Sequence, residues 1–200
     1  MLKPKGYEEA QAFGEFEKIE LGGHHMTVMA VEEMVSSKGK PMIKVSLDTA
    51  LGDKQPTFFM KKYRAAQAPT DGTKKKWPND GTMYITTEND DGTCSSRLKG
   101  FVTAVEKSNP GFAVAWGDGF CNSLKGKAVG AVFRIEMDAY NGKAVERRKM
   151  CWFCESGKVA EQKVPEPVQT DDYQLLMGTK ASAVADPEFM TVPDEELPFV

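Results

Sequence analysis

Cys151-Trp152-Phe153-Cys154 sets two thiols at a spacing that can grip zinc or cycle between dithiol and disulfide. A closed zinc site takes two such pairs, and the remaining cysteines, Cys94 and Cys121, are isolated in the chain. If the stretch is a strand, positions three apart also face opposite ways. Packed thiols are the expectation, with a zinc site as the alternative. The only histidines, His24 and His25, are neighbours, so on a strand they point apart and cannot serve one centre. Glu88-Asn89-Asp90-Asp91-Gly92 has the composition of a calcium loop but lacks its alternating ligands and closing glutamate. Neither a phosphate-cradling Walker loop nor a dinucleotide-binding glycine pattern occurs. The expectation is a protein that is not an enzyme and has no catalytic residue, cofactor or resident metal.

Basic and aromatic residues interleave more suggestively. Lys61-Lys62-Tyr63-Arg64, Lys74-Lys75-Lys76-Trp77 and Arg147-Arg148-Lys149 form three clusters, two of them beside an aromatic ring. An unpaired nucleic-acid strand needs cations along its phosphates and flat rings under its bases, each stacked base contributing roughly 1–3 kcal/mol. Trp77 is the leading stacking candidate because its surroundings are polar and basic, followed by Lys62 and Tyr63. Phe58, Phe101, Phe133 and Phe153 fall in patterned segments and are expected in the core.

The formal net charge of -3 conceals two opposite parts. Residues 1–164 hold 25 basic and 21 acidic residues, a balance of +4, while residues 165–200 hold one and eight, a balance of -7. A mildly basic body with an acidic end is the pattern of a nucleic-acid binder carrying an interaction tail. That end is Pro-punctuated and lacks periodicity, so it reads as mostly disordered, apart from a helical turn near residues 171–177. It finishes Asp194-Glu195-Glu196-Leu197-Pro198-Phe199-Val200. Three acids ahead of an apolar hook suit a partner's pocket rimmed by basic groups. With 40% hydrophobic and 28% charged residues, no apolar run of membrane length and no apolar stretch behind the first lysines, a cytoplasmic protein is expected.

The body must position these clusters. Residues 25–33 form a mixed apolar run, and residues 42–49 alternate, with Ile43, Val45 and Leu47 on one face. Residues 57–63 read as a third strand, and residues 65–93 as a long polar loop. Leu98, Phe101, Val102 and Val105 recur at helical spacing over residues 95–107, with a serine to cap the start. Residues 129–138 and 143–154 flank Asn141-Gly142, a strong hairpin turn signal. Three strands, a helix and a two-strand hairpin give an all-β chain with one helix. That is the order of a five-stranded OB-fold barrel, whose helix lies between strands three and four. The organisation expected is an OB-type body over 1–164 and a partner-binding tail over 165–200.

The chain also resembles the phage and prophage single-stranded DNA-binding proteins of low-GC Gram-positive hosts. The resemblance lies in Gly6-Tyr7-Glu8-Glu9-Ala10, Gly22-Gly23, Ser37-Lys38-Gly39-Lys40 with Ile43-Lys44-Val45, and Leu98-Lys99-Gly100-Phe101. It continues through Ser108-Asn109-Pro110-Gly111-Phe112, Trp116, Leu124-Lys125-Gly126-Lys127, Val129-Gly130 and Phe133. It implies an OB-fold protein that coats single strands in phage DNA replication or recombination, in the host cytoplasm. The acidic tip is similar to the tails by which bacterial single-stranded DNA-binding proteins recruit replication and repair enzymes, except that Val200 follows Phe199 here. Self-association is compatible with this reading. So are an RNA-binding protein of the same fold, a recombination accessory or interaction module without direct DNA contact, and a zinc-ribbon nucleic-acid protein.

Overall fold

The computed structural model describes residues 17–184, and the acidic tip from Asp194 to Phe199 lies outside them. Six strands form one open sheet in a β-rich chain. They are β1 (Gly22–Val35), β2 (Pro41–Thr49), β3 (Thr82–Thr86), β4 (Ala128–Tyr140), β5 (Lys143–Cys154) and β6 (Val168–Gln169). The order is β3-β2-β1-β4-β5, and β6 pairs with β4. Four helices accompany them: α1 (Phe58–Ala65), α2 (Ser96–Ser108), α3 (Phe120–Leu124) and α4 (Asp171–Val184). Among the described residues no helix is long and apolar enough to cross a membrane.

The described residues divide into two compact units, 17–135 with 148–167, and 136–147 with 168–184. In the first unit β1 serves two partners. Its start, Gly22–Thr27, runs antiparallel to β4, and Met26–Val35 runs antiparallel to β2. The register with β2 shifts between Val28 and Ala30. One extra residue in a strand reverses which face the following side chains occupy. Met26 and Val28 point into the core before the shift and Val31 after it. β4 is buried without interruption from Val129 to Phe133, because the 3-10 turn Ser156–Glu161 covers its second face. A Cβ at Gly130 would lie 2.8 Å from Val159 Cγ1.

α2 forms as its spacing predicts. Leu98, Phe101, Val102 and Val105 are buried, and the Leu98 amide donates to Ser95 Oγ at 3.1 Å. At the other end Asn109 Nδ2 donates to the Val105 and Ala128 carbonyls, and the Ala128 N–H donates back to Asn109 Oδ1. This single side chain closes the helix and docks it on β4.

Two expectations are corrected. Residues 57–63 are the helix α1 and not a strand; Phe58 and Phe59, adjacent in sequence, are both buried, which alternation would forbid. The third strand is β3, inside the stretch read as loop. It is short and buries only Ile85 deeply, so it leaves almost no periodic signal. Helix α2 does lie between the third and fourth strands in chain order.

α1 is held from outside its own sequence. Its N-cap residue, Thr57, has φ 54° and makes no side-chain cap. Instead Asp48 Oδ1, on β2, accepts from the Phe59 and Met60 amides at 2.9 and 3.2 Å, as well as from the Thr49 amide at 2.9 Å. Thr49 Oγ1 accepts from the Phe58 amide at 2.8 Å and donates to the Gln55 carbonyl. Asp53, in the loop between, uses both oxygens. Oδ1 meets His24 Nδ1 and the Gln55 amide, each at 2.9 Å, and Oδ2 takes the His25 amide at 2.7 Å. His24 is fully buried, its ring edge-on to Phe133, with Nε2 3.1 Å from the Glu20 carbonyl.

In the second unit β6 lies parallel to β4, with Glu136 beside Val168 and Met137 beside Gln169. Thr170 joins them, its amide donating to the Met137 carbonyl and its hydroxyl to Asp138 Oδ1, each at 2.9 Å. Its Oγ1 then accepts the Tyr173 amide and opens α4. Ordered chain therefore runs past residue 165, where the tail was expected to begin, and the turn foreseen near residues 171–177 is part of a 14-residue helix. Asn141 and Gly142 take φ of 49° and 69°, as the hairpin signal requires.

The two buried aspartates are expected to differ in what substitution costs. Burial raises the carboxyl of Asp48 above its usual range, against the amides it accepts. Burial also raises Asp53, but the His24 hydrogen bond and the Gln55 and His25 amides outweigh it and hold it low. All three Asp48 bonds use one oxygen, which an asparagine carbonyl replaces, so Asp48→Asn is expected to cost less than about 1 kcal/mol. Asp53 presents acceptors on both oxygens, so Asp53→Asn turns an NH2 towards a donor and costs about 2–4 kcal/mol. A depressed carboxyl contributes stability above its unfolded pKa that is lost as pH falls through the folded one. Urea denaturation from pH 7 downward should show that acid loss in the parent and a reduced loss in Asp53→Asn. Equal costs at pH 7 would refute the distinction.

Candidate nucleic-acid interface

Two of the three clusters meet. α1 carries Lys61, Lys62 and Arg64 exposed on its surface, with Tyr63 half-buried between them. The loop after it brings back Lys74, Lys75, Lys76 and Trp77. The Tyr63 and Trp77 rings stack, with centroids 5.3 Å apart and planes 30° from parallel. Lys75 Nζ sits 4.8 Å from the Tyr63 centroid and donates to the Arg64 carbonyl at 3.2 Å. Lys62 Nζ reaches Asp80 Oδ2 at 2.5 Å. The result is a paired-ring platform bordered by six cations, one of them bridged to an acid.

Trp77 has a different place from the one its polar neighbours suggest. It is half-buried against the hydrophobic core, and its Nε1–H donates to the Leu47 carbonyl at 3.0 Å. Gly81 makes room, since a Cβ there would lie 2.9 Å from Trp77 Nε1 and 2.7 Å from the Phe59 ring. One ring face is covered by Tyr63. Trp77 thus positions Tyr63 from beneath, and Tyr63 is the outer ring.

The third cluster is engaged by the protein itself. Arg147 Nε lies 3.1 Å from Asp138 Oδ2, with its guanidinium 5.9 Å from the Tyr140 centroid. Arg148 Nη1 donates to the Ile19 carbonyl at 2.5 Å. Lys149 is exposed. Arg147 and Arg148 fall in different units of the chain.

Exposed rings that are not site candidates in the sequence include Tyr84 and Trp116. Tyr84 on β3 is 48% exposed and sits opposite Lys44 of β2. The alternation Met83-Tyr84-Ile85 is the signal that would have turned it outward. Trp116 is 65% exposed and stacks on Phe120, with centroids 5.2 Å apart.

The thiols are in apolar surroundings. Cys151 S–H points to the Val132 carbonyl at 2.9 Å, and burial raises its pKa. Burial, with Glu155 adding to it, pushes Cys154 up to about 11. Such thiols are protonated at neutral pH and poor nucleophiles. Among the described residues no group of three or more histidine, cysteine, aspartate or glutamate side chains could hold a metal ion. His24 and His25 do face opposite ways, the second with Nδ1 2.9 Å from Ser156 Oγ.

The different anchoring of the two stacked rings, with Trp77 packed on the core and hydrogen-bonded to Leu47, is testable. Trp77→Ala removes a core-packed ring and a hydrogen bond and should destabilise the fold by about 2–3 kcal/mol. Tyr63→Ala should cost less than about 1 kcal/mol. Equal small losses in urea melts would return Trp77 to the solvent.

No family model and no curated protein matches the chain, so what this patch can bind follows from its own rings and cations.

Proposed function

We propose that the chain is a sequence-tolerant single-stranded DNA-binding protein with an OB-type body. The observation that carries this reading is the Tyr63–Trp77 stack bordered by Lys61, Lys62, Arg64, Lys74, Lys75 and Lys76. Unstacked bases need a flat ring and their phosphates need cations, and this surface offers both within one α-helix and one loop. No base-edge reader is required, which suits binding without sequence preference. Strand order supports the fold assignment: a first strand shared between the second and fourth, and a helix between the third and fourth, are features of a partly open OB barrel. The resemblance to phage single-stranded DNA-binding proteins points the same way, towards replication or recombination. The acidic end, with Asp194, Glu195, Glu196, Leu197, Pro198 and Phe199, is assigned in this proposal to partner recruitment.

Titration of labelled dT oligomers tests it. Binding should weaken with salt, the logarithm of affinity falling by about 0.7 per phosphate contact, or roughly 3 for four contacts per tenfold rise in salt. Lys61→Glu with Arg64→Glu should weaken binding at least about tenfold, and Tyr63→Ala by about tenfold through the lost stack. Arg147→Ala, which removes a cation already held by Asp138, should change it less than about threefold. Salt-independent binding, or no binding at all, would overturn the proposal.

A further inference from the structure

A second surface of the first unit has the opposite character. A groove of about 1360 Å³ runs between the far end of the β1–β2 ribbon, the start of α2, and the turn Gly117–Gly119 with α3. Its apolar lining includes Met34, Val35, Leu98, Val102, Trp116 and Phe120. Three of these are open to solvent to an unusual degree for their type, Trp116 at 65%, Val35 at 64% and Met34 at 38%. Large apolar side chains gathered in one concave surface mark a contact site, and an exposed tryptophan at its edge is the residue type that anchors protein interfaces.

The lining charges decide what fits. Glu32, Glu33, Glu88 and Asp118 line the groove against a single cation, Lys99. Glu32 is bridged to Lys44 at 3.2 Å, which leaves Glu33, Glu88 and Asp118 to set the sign of the rim. The carboxylates of Glu33 and Glu32 are also felt inside, where they add to the burial that raises the Cys121 thiol. Phosphates are repelled by such a rim, and so is the chain's own acidic end. An apolar floor with an acidic border is complementary to the reverse arrangement.

We infer that this groove docks a cationic amphipathic segment of a partner protein. Its apolar side lies on Met34, Val35 and Trp116, above the buried Leu98, Val102 and Phe120, and its lysines or arginines face Glu33, Glu88 and Asp118. This is helix-in-groove recognition, in which apolar anchors supply contact area and the charged border selects the sign of the partner. The site is separate in sequence from the Tyr63–Trp77 platform and does not depend on it.

The test uses the full chain and a fluorescein-labelled helical peptide of about 14 residues, four turns, with leucines at i, i+3, i+4 and i+7 and lysines elsewhere. A glutamate version of the peptide serves as control. Saturable binding of the lysine peptide and none of the glutamate peptide is expected. Glu33→Lys with Asp118→Lys should weaken binding at least about tenfold, and Trp116→Ala by a similar factor. The same charge change placed away from the groove, Asp71→Lys with Glu161→Lys, should leave affinity within about twofold. A chain ending at Val184 should bind as the full chain does. Absence of saturable binding would overturn the inference. So would equal binding of both peptides, equal weakening by the distant charge change, or loss of binding with the acidic end.

Discussion

The capture of α1's first amides by Asp48 is the contact on which the cationic platform rests. α1 has only eight residues, well below the roughly 12–15 at which an isolated helix is marginally stable in water. Its own N-cap position offers no side-chain acceptor. The acceptors come from the end of β2, where Asp48 and Thr49 take the Phe58, Phe59 and Met60 amides. An anionic acceptor at a helix N-terminus is doubly suited, through hydrogen bonds and through the helix dipole. Phe58 and Phe59 then anchor the same turn in the core, Phe59 stacking near Phe133. The remaining turn of α1, with Lys61, Lys62, Tyr63 and Arg64, is thereby projected outward. A buried carboxylate on a strand thus sets the geometry of a surface that it does not touch.

This explains which parts of the fold are visible in the sequence. α2 is visible because everything that makes it a helix is local: the capping Ser95, the apolar stripe and the closing Asn109 lie within one segment. The β4–β5 hairpin is visible for the same reason, since Asn141-Gly142 supplies its own turn geometry. α1 is hidden because its stabilising acceptors lie some ten positions upstream, and its two phenylalanines imitate a strand. β3 is hidden because an edge strand that buries Ile85 carries too few apolar residues to mark a period. Of the candidate site, the residue types were visible and the pairing was not. Lys61–Arg64 and Lys74–Trp77 were separate clusters until the loop folded Trp77 onto Leu47 and beneath Tyr63. The partial burial of Trp77 is hidden because polar neighbours in sequence say nothing of the core that a loop crosses.

Charge shows a similar layering. A net value of -3 describes no surface of this molecule. Dividing the chain at residue 165 separates an acidic end from a basic body, but the body is itself divided. The α1 platform gathers six cations around two rings, while the groove beside α2 and α3 sets four carboxylates against one lysine. Screening limits each field to about 8–10 Å at ordinary ionic strength, so a ligand feels the patch it approaches and not the total. The sequence hints at this through separate runs of lysine and of glutamate, yet only the fold decides which of them share a rim.

The two surfaces then constrain the acidic end, whose sequence is Asp194-Glu195-Glu196-Leu197-Pro198-Phe199-Val200. Three carboxylates cannot settle into the acidic groove without adding like charge to a border already negative. Their charge is opposite in sign to Lys61, Arg64 and Lys74–Lys76, the cations assigned above to phosphates in the proposed function. The apolar groove that could accommodate Leu197 and Phe199 has the wrong sign, and the surface of the right sign offers a ring pair in place of a pocket. If the acidic end recruits a partner, as proposed above, its acids and aromatic tip together call for a surface that supplies cations and an apolar pocket side by side.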